Sequence, residues 1–564
     1  MRNRQRRDDP KQFGTSHGPS TIAHLLCRSY TDKGFNVNFR VQQQPSYLVV
    51  STAPETGPGG TPRMLRSLYA VAVSALALLL GTPSRAADIY SSDGFDIRWD
   101  NTFRYSANVR VDDRNPYLLA SPNRDDGDRN FAPGLSSNRL DWQSILDVTR
   151  EGFGLQASFD AWYDTVYHAR TATGAKFAPD VRNIEGQYIE LADTFAYGSF
   201  SIGDVPVTVR AGRQTLLWGE SLFFDDNSIA AAQAPVDYQK IVTMPVPYSN
   251  NVYLPVDQVS IVVQPRSNIS LSAYYQFVWR GSRLPAVGSY FSMTDVLGIG
   301  AQRLYLGPGV FLIHDTDEKP NEGQLGIALH LTEDDLDLGF YALRYDTKYP
   351  ILNVKPAAGE FNSIYPSGIW LYGTSFSTYV DNINVAGELA WRHRVPIMGY
   401  SPPDAFAGLL ARGQTFSEYA DGNTLHAQVS GATTLPPAGL WDSADLSAEL
   451  SSNYIVNVTD NAALLELGRY KFSTAVRTHF EPHYFEVAPN LDLSLPIGLG
   501  YVIHGQYGSA YMVGQGAGDF EGGVSLRFMS VWTADLTFTR FFGSTTRQPL
   551  TDRSFIAFDI ERTF

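Results

Sequence analysis

The chain has 564 residues and a net charge of −14, with 44 Lys or Arg residues against 58 Asp or Glu residues. This acidic balance argues against nucleic acid as a partner, because phosphate backbones are bound by basic surfaces. The single cysteine, Cys27, lies near the start, so the rest of the chain can form neither disulfides nor cysteine-ligated zinc sites. Mean hydropathy is slightly negative at −0.18 although 13% of residues are aromatic, which argues against a helical membrane protein.

The first 87 residues have the composition of a leader rather than of a folded domain. Residues 1–63 are basic at the start and then rich in Gly, Pro, Ser and Thr, which predicts coil. Met64 opens a short basic stretch, the apolar run 68–80 follows, and small residues surround Ala86. This order predicts a secretory signal peptide over 64–87, with a membrane anchor as the alternative. Because a signal peptide should open a chain, we expect 1–63 to be a gene-model extension and 88–564 to be the mature domain.

From residue 95 onward, apolar and polar residues alternate in segments separated by turn residues. For example, Leu325, Ile327 and Leu329 alternate before a turn at 332–335, and the pattern resumes at Leu336. This period of two predicts β-strands. We predict eighteen strands, at about 95–111, 137–150, 153–167, 185–201, 206–217, 257–264, 268–279, 323–331, 336–346, 368–379, 383–395, 424–434, 441–453, 474–488, 491–505, 520–529, 532–542 and 554–564.

The connections between these strands are alternately short and long. This asymmetry is typical of antiparallel barrels that cross a bacterial outer membrane, with short turns in the periplasm and long loops outside. The sequence therefore predicts an all-β transmembrane barrel of about eighteen strands. A soluble sandwich or a propeller is the alternative, but the chain has no repeat of fixed period, which weakens the propeller.

The last strand ends the chain on an aromatic residue. Ile556, Phe558 and Ile560 share one face with the terminal Phe564. A terminal aromatic on such a strand resembles the signal by which the insertion machinery of Gram-negative outer membranes recognises barrels. Arg562 departs from that pattern, because an apolar residue is usual there; a long cation can extend to the membrane interface. We expect Phe564 to be an insertion signal and the outer-membrane bilayer to be the location.

One long connection, 218–255, is unusually apolar for a loop in water. We expect it to fold into the barrel as a constriction or plug, with an extracellular cap as the alternative. A second apolar loop, 280–322, is expected to complete the same wall, with ordinary loop core as the alternative. The residues predicted to form the constriction or substrate pathway are Arg213, Trp218, Glu220, Phe223, Phe224, Tyr238 and Phe291. The predicted polar or charged residues of the lumen are Arg210, Gln214, Glu388 and Arg392, for which structural Arg–Glu pairing is the alternative.

The chain offers few patterns for chemistry. His479, Glu481 and His483 share a strand face with metal-ligand spacing, but hydrated lumen histidines are the simpler interpretation. The acidic loop at Asn123, Asp125, Asp126 and Asp128 lacks calcium-loop spacing, so a solvated loop is favoured. Neither a nucleophile elbow nor a phosphate loop is present. We therefore expect no metal, no cofactor and no enzymatic activity.

Three stretches resemble one family of bacterial outer-membrane proteins that is catalogued as a domain of unknown function. They are 209–221 (VRAGRQTLLWGES), 284–295 (LPAVGSYFSMTD) and 387–392 (GELAWR). The resemblance implies a barrel, often encoded beside a periplasmic lipoprotein-fold protein and an inner-membrane exporter-like protein. The neighbouring genes often concern sterols, aromatics or long-chain esters.

These expectations combine into a channel that passes a hydrophobic small molecule passively across the outer membrane, working with those two partners. Two alternatives stay open. One is a non-conducting protein that anchors a trans-envelope complex, and the other is a lipase or esterase at the barrel rim.

Overall fold

The computed structural model describes residues 87–92, 94–243, 252–397, 419–460, 462, 470–507 and 513–564. The predicted extension 1–63 lies outside the described residues, and so does the predicted signal peptide except for Ala87. Eighteen long strands are present among the described residues, and we number them β1–β18 in chain order. They are Phe95–Arg110, Gly134–Arg150, Phe153–Asp164, Gln187–Ile202, Val205–Gln214, Val256–Arg266, Ile269–Gln276, Gln324–Glu333, Leu336–Tyr345, Ile369–Val380, Ile383–Ile397, Ala420–Leu435, Ser443–Asp460, Phe472–Ala488, Leu491–His504, Gly518–Phe528, Trp532–Phe542 and Phe555–Thr563.

Each strand pairs antiparallel with the next, and β18 returns to pair with β1. Thr102 stands opposite Thr563, and Arg110 stands opposite Phe555. The sheet is therefore closed and has no free edge, which satisfies the backbone hydrogen bonds that a membrane cannot supply. The prediction of an eighteen-stranded antiparallel barrel is confirmed.

The two faces of the barrel wall differ in polarity. On β11, β12 and β13 the outward apolar side chains are 42–45% exposed: Leu389, Val429 and Leu450. Their polar neighbours in the chain are buried inside the barrel: Glu388, Gln428 and Glu449. Adjacent residues of a strand point to opposite faces, so the apolar set faces lipid and the polar set faces the lumen. The fold is that of a transmembrane barrel.

Strand β15 is the one place where the predicted barrel strand is interrupted. It consists of Leu491–Ser494 and Ile497–His504, with Leu495 and Pro496 between them. Proline has no backbone N–H to donate to the neighbouring strand, which explains the break in regular pairing. Hydrogen bonds from Leu495 N to Pro482 O and from Gly523 N to Pro496 O keep the wall continuous there.

The long connections carry the remaining secondary structure. The helical turns are Pro116–Leu119, Asp126–Arg129, Val166–His168, Pro179–Val181, Arg182–Gly186, Asp225–Asn227, Ala230–Ala232 and Tyr238–Thr243. The short strands are Arg303–Gly307, Val310–His314, Ile351–Lys355 and Glu360–Ile364 in one sheet, Gln506–Tyr507 with Val513–Gly514, and Ala87–Ser92, which pairs with the start of β1. Among the described residues, no helix is long and apolar enough to cross a membrane.

The C-terminal residue closes the seam between the last and first strands. Phe564 N donates to Asn101 O at 2.8 Å, and Asn101 N donates to Phe564 O at 3.2 Å. The Arg562 guanidinium lies over the rings of Phe564 and Trp532, at 4.3 and 5.0 Å from their centroids. Stacking on aromatic rings lowers the cost of placing this cation among apolar side chains. The role of Phe564 as an insertion signal stays a prediction.

Candidate functional site: a loop folded into the barrel

The connection between β5 and β6 runs inside the barrel. Its residues 215–243, which we call the infolded loop, contact side chains that point inward from the opposite wall. The clearest contacts involve Glu449 of β13 and Glu388 of β11, two carboxylates that are 1% and 6% exposed. The loop therefore narrows the lumen, as its apolar sequence predicted.

Glu449 holds the loop through its backbone. Its carboxylate accepts hydrogen bonds from the N–H groups of Leu222, Phe223 and Phe224, with N–O distances of 3.2, 2.6 and 3.2 Å. Hydrogen bonds to a charged acceptor are about twice as strong as those between neutral groups. A buried carboxylate also needs such donors, because burying a charge without partners is costly. The carboxylate of the wall and the N–H groups of the loop thus provide hydrogen-bond partners for each other.

Glu388 binds the loop at a second point. Its oxygens accept from Glu220 N and Ile229 N, both at 2.9 Å, and from the side chain of Gln428 at 2.8 Å. Gly219 makes this approach possible, because its φ is +97° and a Cβ there would lie 2.1 Å from a Glu388 oxygen. Any other residue at this position would displace the carboxylate.

Residues of β11, β12 and β13 form hydrogen bonds with the next segment of the loop, residues 226–228. Arg392 of β11 donates from one nitrogen to Asp226 O and Ser228 O, at 3.1 and 2.8 Å. Asn227 donates to Ser452 O at 3.2 Å, and its carbonyl lies 2.7 Å from the ring of His426. The loop is therefore fixed by hydrogen bonds to its main chain at several points.

Trp218 packs the start of the loop against the barrel wall. It is 8% exposed, and its ring packs at 5.1 Å from Tyr274 and 6.0 Å from Tyr341. Ile229, which is fully buried, belongs to the same cluster. Burying these side chains against the wall contributes about 25 cal/mol for each Å² of apolar surface removed from water.

Three of the residues predicted to form an apolar wall do come together. Phe223, Phe224 and Tyr238 line one cavity of about 190 Å³ between the infolded loop and the wall formed by β14–β17. Val502 and Phe541 contribute further apolar surface from the wall. The polar lining includes an ion pair and carboxylates: Arg477, Asp519, Glu521, Asp225 and Asp226. The cavity is thus apolar with a charged margin.

Phe291 does not line this cavity. The two apolar loops nevertheless contact each other, because Val236 and Tyr238 of the infolded loop pack with Leu284 of the second loop. Phe291 packs at 4.7 Å from Tyr290 and 5.3 Å from Phe555, in an aromatic cluster that also includes Phe541 of the first cavity's lining. This cluster borders a second, more polar cavity of about 140 Å³. Burial raises the pKa of Glu185 in the lining to about 7.

The predicted lumen residues of β5 take three different positions. Arg213, which was predicted to lie in the constriction, pairs with Asp257 of β6 at 3.0 Å. Gln214 is buried and its side chain exchanges hydrogen bonds with Gln258. Arg210 lies over the Phe195 ring at 5.6 Å.

The histidine pattern on β14 forms ion pairs rather than a cluster. His479 lies 3.3 Å from Glu481, whereas His483 lies 3.1 Å from Asp445 of β13. Among the described residues, one group of side chains has metal-ligand spacing, and it consists of Asp125, Asp126 and Asp295.

Sequence reasoning missed Glu449. It shares the inward face of β13 with Ser447 and Ser451, and this polar face does not distinguish a carboxylate that binds a loop from a hydrated one. Only its position in the alternation of inward and outward residues along the strand indicated that it points inward.

The fold and the site together define a transmembrane β-barrel with an infolded constriction loop. The sequence profile of the family described as "Protein of unknown function (DUF1302)" matches residues 67–564. The chain belongs to this family. No protein of curated function matches the chain significantly.

Several solved structures match most of the chain at low sequence identity. OccAB3 of Acinetobacter baumannii is 9% identical, with 83% of this chain and 99% of that chain covered and a TM-score of 0.42. OpdK of Pseudomonas aeruginosa, solved with vanillate, is 10% identical, with 83% and 98% covered and a TM-score of 0.39. OprD of the same organism is 9% identical, with 86% and 98% covered and a TM-score of 0.37. These values are too low to assign a function.

Proposed function

We propose that the protein is an outer-membrane channel that passes a hydrophobic small molecule passively. The observation that carries this proposal is the infolded loop, whose Phe223, Phe224 and Tyr238 line a cavity inside a closed barrel. A barrel of eighteen strands is wide enough for an aqueous channel unless something fills it. Here the loop narrows that space and gives the remaining cavity an apolar surface.

The chemistry of the cavity supports an apolar ligand with a polar end. Phenylalanine rings favour apolar groups, and the Arg477–Asp519 pair at the margin offers donors and acceptors. The proposed channel has no energy source of its own, so the hydrophobic molecule moves down its concentration gradient or is driven by a partner protein. The partners we propose are a periplasmic lipoprotein-fold protein and an inner-membrane exporter-like protein, and the proposal assigns no catalytic step.

The test is the current through the purified, folded protein in a planar bilayer, with and without added solutes. We expect an open-channel current that is interrupted longer by a neutral aromatic solute than by a sugar of similar size. Phe224→Ala should shorten the aromatic interruptions, because it removes apolar contact from the cavity. The matched control is Phe340→Ala, which removes a lipid-facing ring that is 44% exposed.

Two outcomes would contradict the proposal. Equal interruptions by aromatic solute and sugar would remove the case for a hydrophobic substrate. The absence of any current from a verified folded barrel would instead favour the anchoring role, in which the infolded loop seals the lumen.

A further inference from the structure

Three carboxylates from two different loops converge at the end of the barrel that carries the long connections. Asp125 and Asp126 lie in the loop between β1 and β2, and Asp295 lies in the loop between β7 and β8. One oxygen from each lies within 4.8 Å of the others. Like charges at such distances repel, and either a bound cation or protonation relieves that repulsion.

Asp295 supplies an independent observation that points to a ligand. It is 94% buried, since its exposed fraction is 6%. One of its oxygens, Oδ2, accepts a hydrogen bond from Asp126 N at 3.2 Å. The other, Oδ1, is buried and has no hydrogen-bond partner among the described residues. Buried carboxylate oxygens are normally hydrogen-bonded or bound to a cation, because leaving them without a partner is costly.

The nearby arginines do not neutralise the group. Arg129 forms an ion pair with Asp125 only, and its side chain is 48% exposed. Arg553 directs one nitrogen to Tyr290 O and Ser292 O, at 2.6 Å each. Within the described part of the chain, no ion pair reaches the carboxylate of Asp126 or Asp295.

We propose that Asp125, Asp126 and Asp295 bind a divalent cation, and that this cation is calcium. Calcium prefers oxygen ligands and tolerates irregular geometry with six to eight of them, so water can complete the three carboxylates. Magnesium requires near-octahedral geometry and loses its water reluctantly. The proposal does not depend on the proposed channel function.

The cation would join the two loops where they already touch. Asp295 N donates to Asn123 O at 2.8 Å, and Tyr305 N donates to the Asn123 side chain at 2.7 Å. The second loop also carries Tyr290 and Phe291 of the aromatic cluster. Calcium binding should therefore stabilise the loop segment that covers this side of the barrel.

The experiment is isothermal titration of CaCl₂ into the purified, folded protein in detergent, after removal of divalent ions. We expect one calcium per barrel, and binding weakened about tenfold or more by Asp295→Asn, because calcium affinity follows the number of charged ligands. The matched control is Asp180→Asn, an exposed residue of another loop, which should bind as the unmodified protein does. Resistance of the barrel to unfolding in SDS before heating verifies the fold of each variant.

Several results would overturn the proposal. They are no saturable binding at millimolar calcium, unchanged affinity in folded Asp295→Asn, or binding of MgCl₂ in preference to CaCl₂. If Asp295→Asn does not fold, Asp126→Asn takes its place, since Asp126 has more contact with solvent. An unchanged affinity in that variant would equally reject the assignment.

Discussion

Replacing Glu449 with alanine should release the infolded loop while leaving the barrel closed. The substitution removes the acceptor for three N–H groups, those of Leu222, Phe223 and Phe224. A buried polar group that loses its partner costs about 1–3 kcal/mol. Taking the lower end for each, because water can reach a loosened loop, gives about 3 kcal/mol. This corresponds to a roughly 150-fold shift toward the detached loop.

The assay combines single-channel current with hydrogen exchange of the loop backbone. We expect a larger and more variable current in Glu449→Ala, and faster exchange at residues 222–224 but not in the barrel strands. The control is Asp445→Asn on the same strand, because Asp445 pairs with His483 and Thr434 and not with the loop. Unchanged exchange at 222–224 in a folded Glu449→Ala variant would refute the reasoning.

Two further predictions use matched positions. Gly219→Ala should loosen the infolded loop, because the added Cβ would collide with the Glu388 carboxylate. The control is Gly203→Ala, which is also at positive φ but has open space around it and should leave the loop in place. Single-channel current and hydrogen exchange of the loop distinguish the two variants. Burial lowers the pKa of Lys348 to about 7, from an ordinary value of 10.5. The unfolded state then binds more protons between these values, so this lysine makes stability rise with pH from about 7 to about 10.5. Thermal unfolding at pH 6 and pH 9 should show a smaller pH dependence in Lys348→Met than in Lys319→Met, an exposed lysine of another loop, and equal dependence would contradict the interpretation.

The strands could be predicted because apolar and polar residues alternate within the sequence of each strand. The hairpin of β8 and β9 was predicted at 323–331 and 336–346, and the structure has Gln324–Glu333 and Leu336–Tyr345. Alternation is imposed by lipid on one face and the lumen on the other, so it is readable without knowing the rest of the fold. The break in β15 at Pro496 was missed, because alternation continues on both sides of it.

The site was only partly predictable, because its contacts join distant segments. The apolar character of the loop indicated infolding, but it did not indicate that Trp218 packs against Tyr274 of the wall. Glu449 lies more than 200 residues from the backbone that it binds. No local pattern specifies which loop reaches a given carboxylate, and the same limit applies to Asp295 and the acidic loop at 125–126.

Different parts of the loop determine its position and its selectivity: main-chain hydrogen bonds hold it in place, and its side chains line the cavity. Glu449 and Glu388 hold main-chain N–H groups, which any residue except proline provides. The side chains of Phe223 and Phe224 line the cavity, although their own N–H groups carry the attachment. Substitutions at these two positions should therefore change which solute is retained without detaching the loop, whereas Glu449→Ala should detach it for every solute. In a variant that combines Phe224→Ala with Glu449→Ala, the effect of the phenylalanine on solute retention should disappear, because a detached loop no longer forms the cavity.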